Sequence, residues 1–112
     1  FPFDGREWDH APMLEQILED GACGMDASVI AWRFHETLAH GILAASLAFK
    51  GSRNFAAVVL SGGVFQNKLL TELAIHKLEA SGFAVWINRQ VPPNDGGISL
   101  GQVVLAAASK EA

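Results

Sequence analysis

The sequence predicts an α/β fold in which parallel strands are covered by helices. Two short apolar runs predict strands. AAVVL at 56–60 is continuously apolar, as expected of a parallel strand covered on both faces, and FAVWIN at 83–88 is rich in aromatic and β-branched residues. Between them, residues 66–80 carry apolar side chains at helical spacing. A strand, a helix and a second strand of this length form a crossover unit, and such a crossover makes its two strands parallel.

Helices are also predicted on both sides of this unit. A short amphipathic helix ends near Gly21, and its apolar positions are Leu14, Ile17 and Leu18. A longer helix follows to about Phe49, and Asp26 or Ser28 can cap its start. Its apolar stripe consists of Ile30, Phe34, Leu38 and Ile42, widened by Trp32, Leu43 and Leu47. Gly82 is a stop signal for the middle helix, and the small, apolar segment GGISLGQVVLAAASK predicts a final helix packed on the sheet.

Length, charge and cysteine content narrow the class of protein. With 112 residues, 50% of them hydrophobic, the chain can bury a core and fits one domain at most, so we treat 1–112 as a single fragment. The net charge of −4 comes from scattered residues, so neither nucleic acid nor a membrane is indicated as a partner. One cysteine, Cys23, cannot form an internal disulfide, and we interpret it as an inert thiol. A small molecule or a protein is the favoured partner, and the cytoplasm the expected compartment.

Two strands are too few for this set of helices, because stable sheets usually have at least about three. Either the irregular stretch before residue 14 supplies a further strand, or the chain is the C-terminal part of a larger domain.

Each predicted strand is followed by a glycine pair. Gly62 and Gly63 follow the first strand, and Gly96 and Gly97 lie beyond the second. Because ligands of open α/β sheets bind beyond the carboxyl ends of the strands, both loops can line one cleft. The first pair is compatible with a phosphate near a helix start and equally with a plain turn. Asn67 can cap that helix, or it can hydrogen-bond a base or ribose.

The second junction contains a carboxylate, Asp95, directly before its glycines. This position is common for a helix N-cap, and a carboxylate is also a good ligand for a hard cation. His35 and His40 are five residues apart on the long helix, so they do not form the i, i+4 pair that a metal needs. No arrangement of Ser, Cys, His and Asp indicates a catalytic residue in this chain.

Four stretches together resemble a known family. They are REWDHAPMLEQIL, VIAWRFHETLAHGI, VVLSGGVFQNKLL and LEASGFAVWINRQVPPNDGGISLGQVVLAA. Together they are similar to the C-terminal part of the HypF family, the carbamoyltransferases of [NiFe]-hydrogenase maturation. The stretch SGGVFQN and its spacing to PPNDGG are the most diagnostic features.

The resemblance implies a fold and an activity. The chain would be the second lobe of a threonylcarbamoyl-transferase-like domain, a partial ribonuclease-H-like lobe of the actin-like ATPase (ASKHA) fold. In this family, carbamoyl phosphate and ATP give carbamoyl-adenylate, and the carbamoyl group passes to the C-terminal cysteine of HypE. It later becomes a cyanide ligand of the hydrogenase iron.

The resemblance also implies site residues. Gly62, Gly63 and Asn67 match the nucleotide-binding GGVxxN pattern. Asp95 matches the aspartate of a divalent metal site whose two histidines lie in the preceding lobe, outside this chain. We therefore expect the chain to need the remaining HypF domains for activity, and to hide its open sheet edge as a homodimer or with its N-terminal stretch.

Two other interpretations stay open. The chain can be a non-catalytic nucleotide-binding or assembly module of the actin-like ATPase fold. It can also be a structural α/β piece whose glycines serve only as turns.

Overall fold

The computed structural model describes residues 3–111, and residues 1, 2 and 112 of the predicted single fragment lie outside this range. It confirms the predicted order of helices and strands. The elements are α1 (Ala11–Ala22), α2 (Ala27–Ser52), β1 (Ala57–Leu60), α3 (Lys68–Ala80), β2 (Ala84–Ile87) and α4 (Ile98–Glu111). Two short 3-10 turns, Gly63–Gln66 and Asp95–Gly97, follow the two strands. No helix within residues 3–111 has both the length and the apolar character needed to cross a membrane.

The two strands pair in parallel, as the crossover predicts. Val58 lies opposite Val85, and Leu60 lies opposite Ile87. In the described part of the chain the sheet has these two strands alone. Residues 3–10, the described stretch before α1, form one isolated bridge between Phe3 and Trp8 and do not join the sheet. They therefore do not supply the missing strand.

Local sequence signals explain where the helices begin and end. The Asp26 carboxylate accepts from the Ser28 backbone N–H at 3.0 Å and caps α2, and this hydrogen bond lowers the pKa of the Asp26 carboxyl. α2 continues through the buried Gly41 and ends at Ser52, slightly beyond the predicted end. α3 ends at Ala80, and Gly82 follows with φ of 88°, as the predicted stop requires.

The core lies where α3 packs against α2 and one face of the sheet. Its buried side chains are Ala39, Leu60, Leu70, Ala74, Leu78 and Phe83. Leu78 has no exposed surface and is the largest side chain buried to this degree. Because removal of apolar surface from water is the main favourable term in folding, this small cluster holds the described structure together.

Two ion pairs fix how the first three helices sit together. Between α1 and α2, Arg33 donates to the buried Asp20 carboxylate at 2.7 Å. Between α2 and α3, Lys77 Nζ contacts Glu36 Oε1 at 2.5 Å, and both side chains are largely buried. A partly buried ion pair is better shielded from solvent than a surface pair, so the second contact fixes the register of α3 on α2.

The opposite face of the sheet is open. Val59 and Trp86 lie opposite each other on this face, with 62% and 65% of their surfaces exposed. The prediction that β1 is covered on both faces is therefore wrong. α3 covers only one face, and within residues 3–111 no other element covers the second. Trp32 and Leu47 are likewise about half exposed, so they do not widen the buried stripe of α2.

The prediction that the last helix packs on the sheet is also wrong. α4 makes its main contacts with the short turn before it, and all its residues up to Lys110 are exposed. It carries exposed apolar side chains at Ile98, Leu100, Val103, Val104 and Leu105. The radius of gyration, 17.5 Å, exceeds the roughly 13 Å of a compact domain of this size, because α4 extends away from the core.

Substitution of one leucine in the core and one in α4 tests this arrangement. Leu78→Ala should lower the free energy of unfolding by about 2–5 kcal/mol, because it leaves a cavity between α2, α3 and the sheet. Leu105→Ala removes the same atoms from a side chain that is 70% exposed. This substitution should change the free energy of unfolding by less than about 0.5 kcal/mol. Urea unfolding followed by circular dichroism measures both values. Equal losses would contradict the exposed position of α4.

Candidate functional site

The first glycine loop follows β1 directly. Gly62 has φ of 115° and ψ of 157°, a conformation that is essentially restricted to glycine. A 3-10 turn from Gly63 to Gln66 comes next, and Asn67 then caps α3 by accepting from the Leu70 N–H at 3.1 Å. Gly62 therefore precedes the 3-10 turn and Gly63 begins it, so neither glycine lies at the α3 N-terminus. The capping role predicted for Asn67 is confirmed.

In the second loop, Asn94 takes the capping role that the sequence suggested for Asp95. Asn94 Oδ1 accepts from the Gly96 N–H at 2.9 Å and caps the turn Asp95–Gly97. A Cβ on Gly96 would lie 2.9 Å from this oxygen, and one on Gly97 would lie 3.2 Å from the Pro92 carbonyl oxygen. Packing within the loop is therefore sufficient reason for both glycines.

A hydrogen bond joins the two loops. The Gly62 N–H donates to the Pro93 carbonyl oxygen at 2.6 Å. Next to this bond, a Cβ on Gly63 would stand 3.9 Å from the Asn94 Cβ. The expectation that both junctions share one edge of the sheet is thus met, since they are in direct contact. The Gly62 N–H is already used, so it is not free to bind a phosphate.

Asp95 is exposed beside this junction. Its carboxylate forms no hydrogen bond or ion pair with residues 3–111. A free, solvent-facing carboxylate is a suitable ligand for a divalent cation, although one carboxylate does not make a site. In the described chain no three His, Cys, Asp or Glu side chains lie close enough together to hold a metal ion. His40 instead lies beside Glu36 and Lys77.

One contact at the first loop was not predicted. His35 of α2 lies against Asn67, with Nε2 at 2.7 Å from Asn67 Nδ2, while His35 Nδ1 lies 2.7 Å from the Ala31 carbonyl oxygen. The two residues are 32 positions apart, so no local motif reveals the contact. Only the packing of α2 against α3 brings them together.

Two of the basic residues already lie beside a carboxylate in this structure. Arg33 is paired with Asp20, and Lys68 lies 3.7 Å from Glu72. Gly63, Asn67 and Asp95 are exposed, and Gly62 is half-buried. Together the two loops make an open surface, which can form one wall of a cleft.

A family model matches this chain closely. The model for the second subdomain of the carbamoyltransferase Kae1-like domain matches residues 1–102, which include both glycine loops. The chain belongs to the HypF carbamoyltransferase family. The α/β architecture with a small parallel sheet is consistent with a Kae1-like domain.

Similar proteins carry the same family name. The chain is 36% identical over 102 residues to carbamoyltransferase HypF2 of Cupriavidus necator, and 32% identical over 110 residues to HypF of Rhodobacter capsulatus. The matches cover 91% and 98% of this chain but span only 12% and 14% of the relatives' length. A solved structure of full-length HypF in its phosphate- and nucleotide-bound form is 43% identical, with a TM-score of 0.80 over 88% of this chain and 13% of its own.

The two adjacent glycines of the first loop should differ in their tolerance to alanine. Gly62→Ala should lower the free energy of unfolding by about 1–3 kcal/mol, because an L residue is strained at a φ of 115°. Gly63→Ala should change it by no more than about 0.5 kcal/mol, because the new methyl meets only an ordinary contact with Asn94. Urea unfolding of both variants measures the difference. A similar small effect for both would contradict the conformation of Gly62.

Proposed function

We propose that this chain forms the nucleotide-facing wall of a carbamoyltransferase site in a protein of the actin-like ATPase fold. The protein would use carbamoyl phosphate and ATP, through carbamoyl-adenylate, to carbamoylate the C-terminal cysteine of HypE in the cytoplasm. This step supplies the cyanide ligands of [NiFe]-hydrogenase. The hydrogen bond from Gly62 to Pro93 carries the proposal, because it unites the two stretches that the family resemblance singles out.

The first loop is suited to hold the nucleotide by shape. A Cβ on Gly62 would meet no atom within 4 Å, so the space in front of this residue is open, and its backbone can approach a ligand closely. Asn67 keeps one N–H and one carbonyl lone pair after its internal hydrogen bonds, and these can bind a ribose hydroxyl or a base. The similar full-length HypF was solved in a phosphate- and nucleotide-bound form, which is consistent with a nucleotide site in a protein of this family.

Asp95 is the residue of this chain that would hold a divalent metal ion. Its exposed carboxylate lies in the loop that is bonded to Gly62. A bound divalent ion would act as a Lewis acid towards the carbamoyl or phosphate oxygens. Other ligands must come from outside the described residues, where the family resemblance expects two histidines.

The transfer itself requires groups from the partner. The HypE thiolate sulfur would form a bond to the carbonyl carbon of carbamoyl-adenylate, while the bond from that carbon to the phosphate oxygen breaks and AMP leaves. The described residues offer no obvious general base, so this chain would bind and orient the adenylate. We therefore expect no carbamoyl transfer by the 112-residue chain alone.

ATP binding in a full-length family member that carries this segment tests the proposal. Gly62→Val and Asp95→Ala should each weaken Mg²⁺-dependent ATP binding by about tenfold or more, through a blocked approach and a lost metal ligand respectively. Calorimetric titration with ATP measures the affinity with and without Mg²⁺. The Asp95→Ala effect should disappear when Mg²⁺ is absent.

Glu79→Ala is the matched control for charge. It removes an exposed carboxylate near the C-terminal end of α3, the end that lies away from the first loop. It should leave ATP affinity unchanged. If neither Gly62→Val nor Asp95→Ala alters nucleotide or metal binding, the glycines are only turns and the proposal is wrong. If both alter binding but a protein with intact sites transfers no carbamoyl group to HypE, the non-catalytic binding module is favoured.

A further inference from the structure

The side chain of Asn67 is held from two directions. Its Oδ1 accepts from the Leu70 N–H at 3.1 Å, and its Nδ2 lies 2.7 Å from His35 Nε2. The first contact is an ordinary helix cap within α3. The second reaches across to α2, where His35 is half-buried. Capping does not require this second contact, so it calls for its own explanation.

The hydrogen-bond chemistry determines each atom of this contact. The Leu70 backbone N–H can only donate, so the Asn67 atom that faces it is the oxygen and the atom that faces His35 is the amide nitrogen. The Ala31 carbonyl can only accept, so His35 Nδ1 carries a proton. In the neutral ring Nε2 is then the acceptor, which matches the Asn67 N–H donor. One tautomer of His35 and one orientation of the Asn67 amide therefore satisfy all of these contacts.

The helix that carries His35 is firmly tied to α3. The next residue along the chain, Glu36, forms the ion pair with Lys77 of α3. One turn further on, Ala39 is completely buried in the core between the two helices. The Phe34 ring meets the His35 ring edge to face, with 5.7 Å between centroids. His35 is therefore held in place relative to the start of α3 by contacts other than its bond to Asn67.

We propose that His35 is a positioning residue for nucleotide binding, which acts by fixing the plane of the Asn67 amide. This inference rests on the proposed function of Asn67. With a single bond to Leu70, the amide can still swing about its last rotatable bond. The second bond to His35 removes that freedom, so the remaining N–H and carbonyl lone pair face the ligand in one orientation. Such preorganisation lowers the entropic cost of binding.

Three substitutions separate this role from simple helix packing. His35→Gln can place an amide oxygen where Nε2 lies and so keep the acceptor for Asn67. His35→Asn is shorter, so it can reach the Ala31 carbonyl but not Asn67. Asn67→Ser removes the amide but keeps a good N-cap oxygen for α3. All three retain polar side chains, so folding should be preserved, which thermal unfolding checks.

The affinity for ATP is measured by calorimetry in a full-length family member that carries this segment. His35→Asn should weaken ATP binding about fivefold, the equivalent of one ordinary hydrogen bond, and His35→Gln should stay within about twofold of the parent. His76→Asn is the control, because His76 is exposed on α3. In the double variant of His35→Asn and Asn67→Ser, affinity should equal that of Asn67→Ser alone, because His35 acts only through the amide.

The outcomes distinguish a failure of this inference from a failure of the proposed function. If Asn67→Ser leaves ATP affinity unchanged, Asn67 does not bind nucleotide. Both the proposed role of Asn67 and the inference about His35 are then wrong. If Asn67→Ser weakens binding but His35→Asn matches the parent, the inference alone is overturned. A further loss in the double variant would also overturn it, since His35 would then act independently of Asn67. The inference is supported if the double variant binds ATP as well as Asn67→Ser alone and if His35→Gln keeps an affinity close to that of the parent.

Discussion

The hydrogen bond from the Gly62 N–H to the Pro93 carbonyl is the contact on which the candidate site depends. A parallel crossover puts the carboxyl ends of β1 and β2 at one edge, but it does not make the loops that follow them touch. Where they meet, Gly62 has a φ of 115°, at which a residue with a side chain is strained. A glycine thus converts two neighbouring strand ends into one continuous surface that carries Asn67 on one loop and Asp95 on the other.

The packing of α3 on α2 also helps to hold this surface in place. The same interface that buries Leu70, Ala74 and Leu78 brings His35 against Asn67, so the stability of the core and the orientation of a site residue have one origin. Exposed apolar surface is also present away from the two loops. Val59, Trp86 and the length of α4 stay exposed, as expected for a unit that spans only 12–14% of its relatives and can pack against other parts of such a protein.

Sequence periodicity and stop signals were sufficient to predict the order of the elements, the parallel pairing and the end of α3 shortly before Gly82, because these depend on local chemistry. Burial was harder to predict. AAVVL and the α4 segment are apolar enough to be buried. Whether they are buried depends on which other elements pack against them, and the local sequence pattern does not indicate this. The choice between Asn94 and Asp95 as the cap depends on the loop backbone, since both residues can cap. The contact of His35 with Asn67 depends on helix packing across 32 residues, and neither residue type signals it.

A crystal structure of a full-length family member that carries this segment, with ATP and Mg²⁺ bound, is the most direct test of the site. We expect the nucleotide to lie against the backbone of Gly62 and Gly63, the Asn67 amide to contact it, and Asp95 to be a ligand of the cation. The bond between Gly62 and Pro93 should persist in the complex. A nucleotide bound away from both loops, with Asp95 still facing solvent, would contradict the account.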